Sequence, residues 1–181
     1  MSQTINAALV GYGFAGQTFH APFLTSTPGL ALRWVVSRDA AKVQAELPGC
    51  RVGSLDEVLA DSTVELVVIA TPNDTHAPIA RQALLAGKHV VIDKPFALDL
   101  AEAEALVELA EKQQRLLSIF HNTPTRSGLR SKHASAVSAT AKRRAASSAI
   151  TAPTPSMHSS TRRDVSLFRV ICANLHVWKK M

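Results

Sequence analysis

Short apolar runs alternate with segments of helical periodicity along residues 1–122 of this 181-residue chain. The apolar runs predict strands at residues 5–10, 30–36, 51–52, 64–70, 89–92 and 115–120. The segments between them predict helices at residues 15–24, 40–47, 54–60, 75–86 and 99–113. The run at 64–70 is almost continuously apolar, as is typical of a strand covered on both faces. This order of elements predicts an α/β fold with a doubly wound parallel sheet.

Polar residues and glycines mark several ends of these helices. Ser54 and Glu57 have the spacing of a capping box, in which each side chain accepts from the other residue's backbone N–H. Asp99, followed by Glu102 at the third position, predicts the start of the last helix. Gly87 suits the left-handed conformation that closes a helix.

The chain changes character after residue 122. Residues 1–122 carry nine Lys and Arg against thirteen Asp and Glu, a net charge of −4, whereas residues 123–181 carry eleven against one, a net charge of +10. Residues 123–160 are rich in Ser, Ala, Thr, Arg and Pro and almost free of apolar periodicity. Such a composition buries too little apolar surface to offset chain entropy. The sequence therefore predicts a folded domain at 1–122 and a poorly structured basic tail at 123–181.

A glycine-rich stretch follows the first predicted strand and opens the first predicted helix. Its residues are Gly11, Tyr12, Gly13, Phe14, Ala15 and Gly16. The first glycine permits a tight turn, the second lets a pyrophosphate approach the backbone, and the third lets the helix pack closely on its strand. The free N–H groups of the helix start would then face the phosphates. The six residues are candidates for dinucleotide binding, although the spacing alone also fits a plain tight turn.

Two further loops should lie beside the glycine-rich stretch, because ligands in parallel sheets bind outside the carboxyl ends of the strands. After the strand at 64–70 come Thr71, Pro72 and Asn73, and after the strand at 89–92 come Asp93, Lys94 and Pro95. Asn73 can bond a ribose or nicotinamide group, or else cap the next helix, which is the role expected of Asp74. His76 is either a cofactor contact or a structural residue. All of these except Asp74 are candidate cofactor-binding residues.

The end of the second strand favours NADP over NAD. An acidic residue about 20 positions beyond the last glycine would bind the adenosine ribose of NAD. That position holds Ser37, followed by Arg38, which suit a 2′-phosphate through charge-assisted bonds. The alternative is that Asp39 takes the ribose and that Arg38 is merely solvated, which would restore NAD.

Lys94 is the candidate catalytic residue. It follows a buried strand at the edge where the cofactor is expected. Its ammonium could orient a substrate hydroxyl and stabilise the alkoxide that develops during hydride transfer. The alternative is a solvated loop lysine. Pro95 restricts Lys94 to extended conformations and could form a cis peptide bond.

These motifs together resemble the N-terminal half of the Gfo/Idh/MocA oxidoreductase family over residues 4 to about 122. The resemblance rests on the glycine-rich stretch, on Thr71-Pro72-Asn73 with His76, and on residues 86–90 running into Asp93-Lys94-Pro95. The family usually has glutamate where Asp93 stands. The resemblance implies a Rossmann domain, NAD(P)-dependent oxidation or reduction of sugars, polyols or related carbonyl compounds, and Lys94 in the catalytic site.

Family members continue into a second domain with a large antiparallel sheet, which supplies most substrate contacts and usually the dimer surface. Nothing after residue 122 resembles that domain. The tail is therefore expected to be a non-homologous, out-of-frame product that leaves the enzyme truncated, with nucleotide binding kept and turnover impaired. The alternative is a non-catalytic NADP-binding module whose basic tail contacts nucleic acid. The tail's few aromatic residues argue against nucleic acid as a partner.

Other classes of protein are not favoured by the sequence. It has no apolar run long enough to span a membrane and no secretory signal. Cys50 and Cys172, the two cysteines, form neither a disulfide framework nor a metal-binding pattern. We therefore expect a cytoplasmic protein without a metal site.

Overall fold

The computed structural model describes residues 4–120, and the predictions for the tail lie outside these residues. The described elements, in chain order, are β1 (Ile5–Val10), a π-helical turn (Gly16–His20) continuing into α1 (Ala21–Ser26), β2 (Leu30–Val36), α2 (Ala40–Glu46), β3 (Arg51–Val52), α3 (Leu55–Ala60), β4 (Leu66–Ile69), a 3₁₀ turn (Asn73–Thr75) continuing into α4 (His76–Leu85), β5 (His89–Ile92), α5 (Leu100–Gln113) and β6 (Leu117–Ile119).

The strands form one parallel sheet in the order β3-β2-β1-β4-β5-β6. The chain winds outward from β1 in one direction and then, from β4 onward, in the other. The predicted α/β fold with a doubly wound parallel sheet is confirmed. The carboxyl ends of β1 and β4 therefore flank the point where the winding direction reverses, which is where such sheets bind ligands.

Both faces of the sheet are covered. Successive side chains of a strand point to opposite faces, so β4 places Leu66 and Val68 in one apolar cluster and Val67 and Ile69 in the other. The first cluster includes Leu24 of α1. The second cluster packs the sheet against three further helices through Val58 of α3, Ala80 and Leu84 of α4, and Leu106 and Ala110 of α5. Burial on both faces explains the continuous apolar run that predicted β4.

The predicted helix-end signals are present. Ser54 and Glu57 form the capping box, and the side chain of Asp99 accepts from the backbone N–H of Glu102 at 2.8 Å. Gly87 has φ +74°, the left-handed conformation expected after a helix. The capping prediction for Asp74 is wrong: α4 has Thr75 at its N-cap position with no side-chain cap, and Asp74 is exposed.

Asp61 is a hydrogen-bonding centre in the loop between α3 and β4. Its carboxylate accepts from the Trp34 indole at 2.8 Å and from the backbone and hydroxyl of Thr63 at 2.9 and 2.7 Å. The bonds from Thr63 and then Trp34 lower the pKa of Asp61 to about 2. Its backbone carbonyl accepts from the buried ammonium of Lys88 at 2.7 Å, and burial lowers the pKa of Lys88. One short loop thus fastens β2 and the start of β5 to the end of α3.

Among the described residues, no helix is long and apolar enough to cross a membrane.

Candidate functional site

The glycine-rich stretch is built against the ends of the neighbouring strands. The Gly11 N–H donates to the Val36 carbonyl at the end of β2 at 2.9 Å. Gly11 has φ +98°, and a Cβ there would lie 2.5 Å from the Ala70 carbonyl oxygen after β4. A side chain at Gly16 would collide with the Gly11 carbonyl. Only glycine fits at these two positions, as the motif predicts.

Gly13 differs from the other two glycines because the space around it is open. A Cβ at Gly13 would meet no atom within 4 Å, and the residue is exposed. Its carbonyl accepts from the Gln17 N–H at 2.9 Å, which starts the helix. No contact among residues 4–120 requires glycine at this position, so the free space fits the close approach of a phosphate.

The three residues between these glycines face different surroundings. Tyr12 is buried, and its hydroxyl donates to one carboxylate oxygen of Glu46 in α2 at 2.8 Å. Burial and then this bond raise the pKa of Tyr12 to about 12. Gln17 donates to the other oxygen of Glu46 at 2.5 Å. Phe14 is 77% exposed and Ala15 is partly exposed. Any contact of Tyr12 with a nucleotide must therefore come from its backbone.

Ser37 and Arg38 lie at the end of β2, between the strand and α2. The Ser37 hydroxyl accepts from the Asp39 N–H at 3.1 Å, and Arg38 is exposed. Asp39 is the N-cap of α2, because its carboxylate accepts from the Lys42 N–H at 3.0 Å. Lys42 itself is exposed in the first turn of α2.

The loop after β4 is joined to the loop after β5 through a histidine. His76, 1% exposed at the start of α4, has Nε2 2.8 Å from the Thr71 carbonyl oxygen and Nδ1 2.8 Å from the Pro95 carbonyl oxygen. The Thr71 hydroxyl accepts from Thr75 at 2.8 Å. Pro72 and Asn73 are exposed at the edge of the sheet.

Lys94 is exposed on a loop that is fixed on both sides. Its backbone N–H donates to the Asp93 carboxylate at 2.8 Å, and the N–H of Asp93 donates to the Ile69 carbonyl of β4 at 2.9 Å. The bond from Lys94 to Pro95 is cis, as the sequence allowed. An exposed lysine side chain thus projects from a backbone that is held by hydrogen bonds.

His20 is a site residue that the sequence prediction missed. It ends the π-helical turn, is 1% exposed, and has Nε2 3.5 Å from the second carboxylate oxygen of Asp93. Burial lowers the pKa of His20, while the Asp93 carboxylate acts in the opposite direction. Its ring also packs on Phe120, with the ring centroids 4.4 Å apart. The signal in the sequence that could have identified His20 is its position as a polar residue on the apolar face of the first predicted helix.

These contacts bring the predicted candidates to one edge of the sheet. Gly11 contacts the ends of β2 and β4, His76 bridges the loops after β4 and β5, and His20 faces Asp93 from the glycine-rich helix. Among the described residues, the edge offers an open backbone at Gly13, a serine and an arginine after β2, and an exposed lysine at Lys94. Among residues 4–120, no three His, Cys, Asp or Glu side chains are grouped so that they could hold a metal ion.

Comparison with known proteins agrees with this arrangement. A sequence profile named Gfo/Idh/MocA, described as an oxidoreductase family with an NAD-binding Rossmann fold, matches residues 5–121. The uncharacterised oxidoreductase YdgJ of Escherichia coli strain K12 is 50% identical over 67% of this chain and 36% of its own length. The scyllo-inositol 2-dehydrogenase (NADP(+)) IolW of Bacillus subtilis strain 168 is 32% identical over 66% of this chain and 34% of its own.

Solved structures give the same result. A crystal structure of an oxidoreductase from Klebsiella pneumoniae is 60% identical, with a TM-score of 0.64 over 66% of this chain and 35% of that one. GenD2 from gentamicin A biosynthesis, solved in complex with NAD, is 41% identical, with a TM-score of 0.62 over 66% of this chain and 35% of that one. The chain thus spans about a third of the length of these relatives.

Proposed function

The chain belongs to the Gfo/Idh/MocA oxidoreductase family, and from that premise we propose that it binds NADP for hydride transfer to or from a sugar, a polyol or a related carbonyl compound. The observation that carries the proposal is the open backbone at Gly13 on the same sheet edge as the exposed Lys94. A dinucleotide laid across this edge would have its pyrophosphate at Gly13 and its nicotinamide toward Lys94.

The proposed preference for NADP rests on the hydrogen bonding of Asp39, the acidic residue after β2. The Asp39 carboxylate already accepts the backbone N–H of Lys42, so it is engaged in capping α2. Ser37 and Arg38 are proposed to receive the adenosine ribose, because the exposed Arg38 guanidinium suits a 2′-phosphate. The relatives include both an enzyme named for NADP and a structure in complex with NAD, so the family alone does not fix the choice.

Lys94 is proposed as the catalytic residue. When bound, the nicotinamide ring supplies the hydride chemistry. The Lys94 ammonium would donate a hydrogen bond to the substrate oxygen and stabilise the negative charge that develops there. In the direction of reduction the same group would give a proton to that oxygen. The fixed backbone on both sides of Lys94 limits the positions that its ammonium can reach.

The substrate class and the second domain are also proposals. A polyol substrate is supported by the relative named for scyllo-inositol. The division into a domain at 1–122 and a tail at 123–181 is supported by the change in charge and composition after residue 122. In this proposal the described residues provide the cofactor side of the active site.

Calorimetric titration of the purified chain with NADPH and with NADH tests the proposal. We expect tighter binding of NADPH. Arg38→Ala should weaken NADPH binding by about tenfold, the value of one charge-assisted bond, and leave NADH binding unchanged. The matched control is Arg33→Ala, since Arg33 is an exposed arginine on β2, five residues before Arg38, where it bonds Asn6.

The variant Asp39→Asn tests the alternative, in which the Asp39 carboxylate binds the ribose of NADH. The amide can still cap α2, so NADPH binding should be unaffected. A selective loss of NADH binding in Asp39→Asn, with tighter NADH than NADPH binding in the unaltered chain, would show that Asp39 takes the ribose. Absence of binding of either nucleotide at millimolar concentration would refute the cofactor site itself.

A further inference from the structure

His20 is a buried polar residue whose Nε2 atom makes no hydrogen bond among the described residues. The second carboxylate oxygen of Asp93 lies 3.5 Å from this nitrogen. The ring lines an apolar groove between α1 and the sheet, together with Phe23, Val91 and Phe120. Most buried polar atoms have a hydrogen-bond partner, so an imidazole kept in this groove requires an explanation.

The Asp93 carboxylate that faces His20 has two oxygens with different surroundings. One oxygen accepts the backbone N–H of Lys94 at 2.8 Å, and the other lies opposite Nε2 of His20. The side chain of Asp93 is 18% exposed, so a carboxylate held by one bond alone could rotate toward water. Contacts on both oxygens would fix the plane of the carboxylate and, with it, the bond to the Lys94 backbone.

The chemistry of the pair decides which form of the ring suits Asp93. A carboxylate only accepts hydrogen bonds, whereas a neutral imidazole has one N–H group and one lone pair. Burial lowers the pKa of His20, so the ring carries one proton at neutral pH. A lone pair at Nε2 would face a negatively charged oxygen, whereas an N–H group there is attracted to it. We propose that His20 is a positioning residue, whose Nε2–H group orients the Asp93 carboxylate that holds the Lys94 backbone.

The contact between His20 and Asp93 orients the carboxylate without being a formed hydrogen bond, which would have a length of about 2.7–3.2 Å. Because the imidazole is enclosed, its attraction to the carboxylate is stronger than it would be in water. Phe120 packs on the imidazole with the ring centroids 4.4 Å apart and limits its rotation. The importance of the contact for catalysis rests on the proposed function of Lys94, whereas the orientation of Asp93 requires no nucleotide.

Nuclear magnetic resonance of the imidazole nitrogens, in the full chain without nucleotide, tests which nitrogen of His20 carries the proton. At neutral pH we expect a protonated Nε2. The variant His20→Gln removes the His20 signals and thereby assigns them. His89, whose Nδ1 accepts the Leu116 N–H at 3.0 Å, supplies a reference signal for a ring nitrogen with a lone pair. A signal of that kind from Nε2 of His20 overturns the inference.

Two substitutions at His20 separate a positioning role from a packing role. Glutamine can keep an N–H donor near the place of Nε2, whereas leucine fills the apolar groove without a donor. In a positioning role, His20→Leu should speed hydrogen exchange of the Lys94 amide about fivefold, and His20→Gln should change it by less than about twofold. A role in packing alone predicts the opposite order, because leucine suits an apolar groove better than glutamine does.

The matched control for these variants is Phe23→Leu, because Phe23 packs on Phe120 from the same helical segment as His20. It should leave exchange of the Lys94 amide unchanged, and thermal unfolding measures the effect of all three substitutions on the fold. The positioning role is overturned by an unchanged Lys94 rate in His20→Leu, or by a rate in His20→Gln that equals or exceeds it. Neither measurement uses a nucleotide, so failure of the chain to bind NADPH would count against the proposed function alone.

Discussion

At the scale of single residues, the three glycines of the glycine-rich stretch have three different reasons to be there. Gly11 is required by its positive φ and by the Ala70 carbonyl, and Gly16 by the Gly11 carbonyl. Gly13 is required by no contact within the described part of the chain. The sequence pattern treats the three alike, and only the structure separates those that serve folding from the one that is free to serve a ligand.

Alanine substitutions at Gly13 and Gly16 should therefore affect different properties, namely nucleotide binding at Gly13 and folding stability at Gly16. Gly13→Ala should leave the unfolding temperature unchanged but weaken NADPH binding by about tenfold, because the new methyl group enters the space proposed for the phosphate. Gly16→Ala should lower the free energy of unfolding by roughly 1–3 kcal/mol, because a packed backbone must shift. Thermal unfolding and calorimetry measure both. Tight NADPH binding by Gly13→Ala would contradict the proposed position of the phosphates.

At the scale of secondary-structure elements, local signals predicted most of the fold. The apolar runs located all six strands, and Ser54, Asp99 and Gly87 marked helix ends correctly. The errors were at boundaries: β4 is Leu66–Ile69 where the apolar run spans 64–70. The π-helical turn at Gly16–His20 was not predicted, because no pattern in a single sequence distinguishes it from α-helix.

The sequence predicted which loops form the candidate site, but it did not predict the hydrogen bonds between them. The spacing of glycines and the residues after β4 and β5 were visible as local patterns. The bonds of Tyr12 to Glu46 and of His76 to Pro95 join residues 34 and 19 positions apart, and no local pattern encodes them. The sequence also does not show that the Asp39 carboxylate caps α2.

The Asp61 loop between α3 and β4 should make the stability of the domain dependent on acid. Because the pKa of Asp61 is lowered from 3.8 to about 2 in the folded chain, its contribution is present above pH 4 and is lost as the pH falls through 2. Asp61→Asn, which does not titrate, should have a lower urea midpoint above pH 4 and should converge with the unaltered chain near pH 2. Parallel midpoint curves over that range would show that the Asp61 charge does not stabilise the fold.

At the scale of the whole molecule, we propose that the described domain supplies one side of a reaction site. The proposed nucleotide edge runs from Gly13 through Ser37 to Lys94, and Lys94 is exposed there. Hydride transfer also requires a substrate held in line with the nicotinamide, and that positioning accounts for much of an enzyme's rate. Cofactor binding and turnover are therefore expected to be separable in this chain.

The purified chain should bind NADPH without measurable oxidation of scyllo-inositol in the presence of NADP. An exposed lysine without a substrate held against it gives little advantage over solution. Absorbance of the reduced nicotinamide follows the reaction, with Lys94→Ala as the control for background rate. Turnover that Lys94→Ala abolishes would show that the chain positions substrate by itself.

The hydrogen bonds of Glu46 should couple the contributions that Tyr12 and Arg38 make to the free energy of nucleotide binding. It receives the Tyr12 hydroxyl and the Gln17 amide from the glycine-rich stretch, while its own helix, α2, starts at the Asp39 cap beside Arg38. In the proposed binding mode, the two ends of the dinucleotide would contact parts of one hydrogen-bonded unit. Removing the Tyr12 hydroxyl should change what Arg38 contributes to affinity, so the two substitutions should be thermodynamically coupled although neither side chain touches the other.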